Sequence, residues 1–250
     1  MLFLLLFLLN MKIVFVLIFV FVFSPVLRAQ SKVSAEVEVK RVHNGQSVTI
    51  RKEIFYNANG KMVVRFVYPE EYFFVTNHFG EARIYLPKAD EVMLINDKTM
   101  SSESELIYYF LNNKTDDLGL KDQGFSLADT RTEKDAVVRS YISKDPKSNV
   151  SKIEMVHENH LPIYCAYFDT KNRIIRKIYY SEYRQWSLAA FPSRITEIAY
   201  PAANDSVVSR MLYYNVKTDR QAMSPYFDYT IPSHAKLVDQ KKLLQQQEKK

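Results

Sequence analysis

Cysteine is almost missing from this 250-residue sequence. Cys165 stands alone, so no internal disulfide can staple the fold, and stability must come from burial and hydrogen bonding. Its setting, "LPIYCAYF", is apolar, which predicts a small buried core residue with an inert thiol. Glycine is scarce too, at 5 residues, which excludes glycine-patterned repeat architectures, and no internal period of 20–50 residues is visible. There is no G-x-S-x-G elbow, phosphate-binding loop or dinucleotide fingerprint. That absence points toward binding rather than catalysis, and no cofactor is implied. Nor is there a basic stripe. Of the formal +6, Lys12 and Arg28 supply two charges and residues 240–250 three more, leaving the body near neutrality with bases scattered among acids. Nothing there could track a phosphate backbone, so a nucleic-acid partner is not expected.

A long apolar run occurs once, over residues 1–27. It is long enough to span a bilayer. Met11 is a second possible start, followed by Lys12, an apolar stretch, Ser24-Pro25 and then Leu27-Arg28-Ala29. A small residue after a helix-breaking proline reads as a signal-peptidase site, so residues 1–29 are expected to be a cleaved signal peptide, with an uncleaved anchor as the alternative. No cysteine lies near the site, which excludes a bacterial lipoprotein anchor. An exported domain without disulfides suits a bacterial periplasm. Residues 30–239 are long enough for one domain, and residues 240–250, charged and glutamine-rich, are expected to form a mobile basic tail.

What the sequence has in abundance is alternation. "VSAEVEV" (33–39) places Val33, Ala35, Val37 and Val39 on one face and Ser34, Glu36 and Glu38 on the other. Further strands are expected at 47–56, 62–68, 72–76, 81–86 and 91–96, with Asn57-Ala58-Asn59-Gly60 a hairpin turn. The period then changes. Ser101 or Ser102 can cap a helix carrying Leu106, Ile107, Tyr109, Phe110 and Leu111, and residues 116–130 read as loop with one helical turn. From Ala136 the β pattern returns in six more segments and closes on "FDYTIP" (227–232). About a dozen strands around one helical insert imply a mainly β barrel, sandwich or strongly curved sheet.

The aromatics, 17 Tyr and 16 Phe, do not keep to one face. Tyr179-Tyr180 and Tyr213-Tyr214 put rings on both sides of their strands, and so does "VVRFVYPEEYFFV" (63–75). Val63, Arg65 and Val67 share one face of that stretch, and Val64, Phe66 and Tyr68 the other. Two accounts fit: cross-strand aromatic packing on a half-wet sheet, or one face on the core and the other lining an apolar concavity. His157-Glu158-Asn159-His160 is spaced i, i+3 inside a β pattern, whereas a helical zinc motif needs i, i+4, so the pair is expected to be surface histidines at a turn and no metal site is expected.

Three stretches resemble the outer-membrane lipoprotein carrier protein family (LolA-like). "GKMVVRFVYPEE" (60–71) is similar to the family's strand of large apolar residues ending before proline and acids. "NHFGEARIYLP" (77–87) is similar to its turn-strand segment, and "YFDYTIPSHAKLVDQ" (226–240) to its closing strand. The resemblance covers roughly residues 33–239. It implies an incomplete, strongly curved antiparallel β-barrel with a small helical lid over the concave face, sheltering the acyl chains of lipoproteins as they cross the periplasm. The protein would then be a monomeric carrier, not an enzyme, meeting acylated lipoproteins or another lipid, an inner-membrane donor complex and an outer-membrane acceptor. Carried over by position, Val64, Phe66 and Tyr68 point into the cavity, Phe73, Val75 and Tyr85 join them from the next strands, and Leu106, Ile107, Phe110 and Leu111 form the lid's inner face. An ordinary core helix remains the alternative for that last group. A binding protein for another hydrophobic molecule, such as a glycolipid, or an envelope protein-interaction module are the other readings of the whole. The chain departs from the family in two places: it lacks an amphipathic N-terminal helix, and Asn59-Gly60 stands where an Arg-Pro latch is usual.

Overall fold

Strict alternation at 33–39 becomes β1 (Lys32–His43), which buries Val33, Ala35 and Val37 and hydrogen-bonds on both edges. The computed structural model describes residues 32–186, 189–202 and 205–238. The expected signal peptide and basic tail lie outside these residues.

From β1 the chain runs outward through an antiparallel meander: β2 (Gln46–Asn57), β3 (Met62–Tyr68), β4 (Tyr72–Thr76), β5 (Glu81–Leu86) and β6 (Glu91–Asn96). The β2–β3 turn falls at Asn57–Gly60, where Gly60 has φ of +88° and a Cβ would sit 2.6 Å from His78 Nδ1. Only glycine fits there. A crossing segment then carries short 3₁₀ turns and one helix, α1 (Leu106–Leu111), to the far edge of the sheet. A second meander returns through β7 (Phe125–Glu133), β8 (Ala136–Ser143), β9 (Lys152–Glu158), β10 (Leu161–Phe168), β11 (Ile174–Trp186), β12 (Ala189–Ala199) and β13 (Val207–Thr218). β13 pairs with β1, so one sheet runs β6-β5-β4-β3-β2-β1-β13-β12-β11-β10-β9-β8-β7 without closing, with the two-residue strand β14 (Lys236–Leu237) beyond β6. It is an open, curved barrel with little helix, as the resemblance implies.

Each face of this sheet has its own apolar cluster. The inner face, toward α1, gathers Val37, Ile54, Tyr56, Met62 and Val64 from one meander and Tyr141, Ile153, Met155, Cys165, Tyr180 and Phe191 from the other. The outer face of β2–β5 gathers Phe55, Val63, Phe73 and Tyr85 under Ala222 and Phe227 of the C-terminal segment. Both apolar faces of "VVRFVYPEEYFFV" therefore meet protein, save at Val67 and Tyr68, which are exposed.

Three expectations are corrected. Residues 125–133 form edge strand β7 rather than loop. As an edge strand it leaves most of its side chains in water, so no apolar alternation betrays it. "FDYTIP" is not a strand. Ser224 caps a 3₁₀ turn, Pro225–Asp228, and the sheet-edge place goes to the two-residue strand β14 (Lys236–Leu237), parallel to β6. Tyr226, Phe227 and Tyr229 bury their rings on the outer face instead of extending the sheet, with Phe73 stacked on Tyr229 at 4.3 Å and Phe55 edge-on to Phe227 at 5.6 Å. Finally, the helix is shorter than its pattern. Ser101 caps the 3₁₀ turn Ser102–Ser104, and Glu105 is extended before α1 begins.

Candidate functional site

The crossing segment is the roof of the inner face, and specific side chains pin it at both ends. At the near end Ser102 Oγ donates to the Gly60 carbonyl at 2.7 Å, Thr76 Oγ1 to Met100 O at 2.6 Å, and Ser101 Oγ to His78 O at 3.0 Å. At the far end Tyr141 Oη donates to Asp116 O at 3.1 Å, and Arg139 pairs with Asp116 at 3.4 Å.

His157 belongs to this far anchor, which corrects the surface-turn expectation for it. It is buried in β9, while His160 sits in the β9–β10 turn with φ of +64°. Its Nε2 lies 2.9 Å from Thr115 O, so Nε2 carries the proton and donates; Nδ1 then accepts from Arg139 Nη1 at 3.2 Å. Burial lowers the His157 pKa. The Thr115 bond works against this, and the Arg139 cation adds to it. The neutral ring is the one that fits. Among the described residues no three His, Cys, Asp or Glu side chains converge as metal ligands.

Between the pins, α1 presses Ile107, Tyr109 and Phe110 inward, with Phe110 5.1 Å from Phe191 in an edge-to-face contact. Phe191 in turn stacks on Trp186 at 3.8 Å and meets Tyr213 at 4.9 Å. Gly119, at φ +79°, lets the chain pass Tyr109, whose Oη would lie 2.1 Å from any Cβ there. Packing is not complete, however. A cavity of about 260 Å³ remains between roof and sheet. Its floor is Tyr167 of β10, Ile178 and Tyr180 of β11, Ile195 of β12, and Met211 and Tyr213 of β13; Leu106, Tyr109, Leu118 and Leu120 roof it. Polar residues enter the lining at Ser104, Glu105, Gln123, Arg176 and Glu197. Burial raises the Tyr180 and Tyr213 phenols above their usual range, so they stay neutral. Burial also pushes the nearby Cys165 thiol up to about 12, in keeping with an inert core cysteine.

Two further hollows flank the C-terminal segment on the outer face. One, about 210 Å³, is bordered by Glu36, Glu53, Arg65 and Lys217, and the other, about 480 Å³, is an open trough at Lys32, Asp219, Met223 and Phe227. Neither lies between two apolar layers, so the inner cavity is the candidate site.

Of the ten residues proposed from sequence, six lie in or against the inner cluster and three lie on the other face of the sheet. Leu106 lines the cavity. Val64 is buried in the inner cluster with Ile107 and Phe110, and Leu111 packs at its margin. Phe66 packs against the same cluster and stacks on Tyr72 at 4.0 Å. Tyr68 is half exposed at the strand's end, with the Arg51 guanidinium 5.7 Å from its ring. Phe73, Val75 and Tyr85 lie on the opposite face of the sheet, under the C-terminal segment. The floor residues were not anticipated. Their signal was present as equal parity, Arg176-Ile178-Tyr180 on β11 and Ile195-Glu197 on β12, but alternation alone does not say which face a roof will cover.

No protein-family model matches the chain, and no curated protein sequence matches it. Solved structures do. A DUF1329 family protein from Desulfovibrio piger aligns over 80% of this chain and 90% of its own, with TM-score 0.55 and 14% identity. A LolA superfamily protein from Nitrosomonas europaea covers 80% of this chain and 91% of its own, with TM-score 0.54 and 11% identity. A domain from Vibrio parahaemolyticus, described as an outer membrane lipoprotein-sorting protein, covers 79% and 89%, with TM-score 0.54 and 13% identity. At such identities the likeness is one of fold alone.

Proposed function

We propose that this protein is a periplasmic carrier that shelters the acyl chains of lipidated proteins and releases them at the outer membrane. It is read here as a binding protein without catalysis of its own, exported by its N-terminal segment and working between an inner-membrane donor and an outer-membrane acceptor. The observation that carries this reading is the apolar cavity between α1 and the floor of β10–β13, on the inner face of an open sheet. The LolA-type fold of the neighbouring structures supports it.

The energetics explain why such cargo needs a cavity. Burying a methylene is worth about 0.8 kcal/mol, so a sixteen-carbon chain left in water costs on the order of 10 kcal/mol. The cavity's 260 Å³ is small for a ligand pocket, which usually measures about 300–1,000 Å³. A whole acyl chain therefore requires the roof to lift. Its end bonds contribute about 1 kcal/mol net each, and the apolar area that Ile107, Tyr109 and Phe110 lose on lifting is re-covered by the acyl chain that enters. Val64 and Phe66, near the roof's margin, are proposed to join the lining once it is raised, whereas Ile107 and Phe110 travel with the roof.

Lipid extraction from the protein purified out of its native envelope, followed by mass spectrometry, tests the reading. Copurified acylated peptide or lipid is the expected result, together with uptake of a fluorescent acyl probe by the stripped protein. A stripped protein that takes up no acyl probe would refute the carrier reading.

A further inference from the structure

The C-terminal segment gathers a cluster on the outer face only over β2–β5; further round the sheet, among the described residues, that face forms no second one. Strand register says what it presents instead, because residues paired across a ladder point to the same side. One outward row runs Val42 (β1), Val208 (β13), Ile198 (β12) and Lys177 (β11). The next runs Lys40, Arg210, Thr196, Tyr179 and, on β10, Tyr164. Val42 and Tyr179 are 38% and 39% accessible, and Lys40 and Arg210 are exposed. An aliphatic row thus lies beside a row of cations and tyrosines.

Lys40 and Arg210 stand directly opposite each other, and like charges so placed are destabilising. No acid among the described residues offsets them. Glu38, two residues away on β1, is held by Arg51 at 3.0 Å, and Asp205, before β13, by His43 at 3.1 Å. Lys177 meets no carboxylate either; its ammonium lies 5.8 Å from the Tyr200 ring centroid. With neighbouring strands about 4.8 Å apart, the three cations span roughly 15 Å, more than one small anion can bridge. A layer of anions can meet all three. The tyrosines suit the boundary of such a layer, since a phenol has an apolar body and a wet tip. Protein partners anchor side chains in pockets, and none of the three hollows described above lies on these rows.

We infer that this outer face, over β1 and β11–β13, docks on an anionic phospholipid surface. Lys40, Arg210 and Lys177 reach the headgroup phosphates, and Val42 enters the apolar edge of the interface. The inference goes beyond the carrier reading and does not depend on the cavity.

Cosedimentation of the exported protein with vesicles tests it, using phosphatidylcholine alone and equal parts of phosphatidylcholine and phosphatidylglycerol. Binding is expected to the anionic vesicles only, and to weaken as salt is raised. Each basic residue near such a surface contributes about fivefold in partition, so Lys40→Gln with Arg210→Gln should lower binding about twenty-fivefold. Taking away facing like charges does not weaken the fold, so lost binding cannot be put down to unfolding. Val42→Ser should lower binding a few-fold. Lys134→Gln with Lys217→Gln removes the same charge from the opposite end of the strands and should leave binding within about twofold. Equal loss in the two double variants overturns the inference. So does wild-type binding by Lys40→Gln with Arg210→Gln, or equal binding to phosphatidylcholine alone. Wild-type protein that ignores the anionic vesicles overturns it too, and leaves the face to an acidic protein partner. None of these outcomes touches acyl-probe uptake, so the carrier reading stands or falls separately.

Discussion

Val63 and Val64 are neighbours in the chain, both nearly inaccessible at 0% and 4%, yet they lie under different roofs. Val63 faces outward, where the C-terminal segment lays Ala222 and Phe227 over Phe55, Phe73 and Tyr85 in ring-on-ring contact. Val64 faces inward, beneath a crossing segment held by hydrogen bonds such as Ser102 to Gly60 and His157 to Thr115. The outer cover is held by apolar area and aromatic packing, which fade only as the rings separate. The inner roof adds to its own buried side chains, Ile107, Tyr109 and Phe110, a set of directional bonds at its ends, which water can replace. Cover and roof thus bury the two faces of one sheet in different ways.

The contrast is sharpest at Phe73. Phe73→Ala removes a ring sandwiched among Tyr229, Tyr226 and Tyr85 and should cost about 3–5 kcal/mol in urea unfolding. Acyl-probe uptake by the folded fraction should persist, because the cavity lies on the other face. A cost below about 1 kcal/mol would show that the outer cluster is no packed core.

Next in size is His157→Ala, which leaves Thr115 O without its donor and should cost about 2 kcal/mol. Its effect on pH dependence has a definite sign. The folded pKa of His157 is lowered, so its share of stability is fully present above the unfolded value of about 6.5 and is lost as pH falls toward the folded value. Asp97 and Asp169, whose carboxyls are held low by backbone N–H bonds from Thr99 and Arg173, lose their share only below about pH 4. Unfolding curves at pH 7.5, 6.0 and 5.0 should therefore show a decline in the wild type that His157→Ala lacks. Equal slopes in the two proteins would remove the histidine from the latch.

Ile195→Phe should separate binding from stability. The added ring enters the cavity, so the melting point should hold within the effect of about 1 kcal/mol while acyl-probe uptake falls about tenfold. The smallest effect is expected at Met223, 87% exposed beside the outer cover. Met223→Gln should change stability by no more than about 0.5 kcal/mol.

Much of this molecule was legible along the chain. The alternation of 33–39, the Asn57–Gly60 turn and the bounds of β3 to β6 follow from side-chain period and turn chemistry, which act over a few residues. So did the buried, inert Cys165 in its apolar stretch. Other features depended on neighbours far away in sequence. The edge strand β7 shows no apolar period because water covers its sides. His157 reads as a turn residue until Thr115 and Arg139 are brought against it. Phe73, Val75 and Tyr85 share with Val64 and Phe66 a pattern of large apolar side chains, and pattern cannot say that residues 222–235 will cover one face and the crossing segment the other. Local sequence therefore determined most of the strands, though not edge strand β7, and which of their residues share a face. Only the tertiary structure decided what each face meets, because burial is a relation between segments that the chain brings together from distant parts of the sequence.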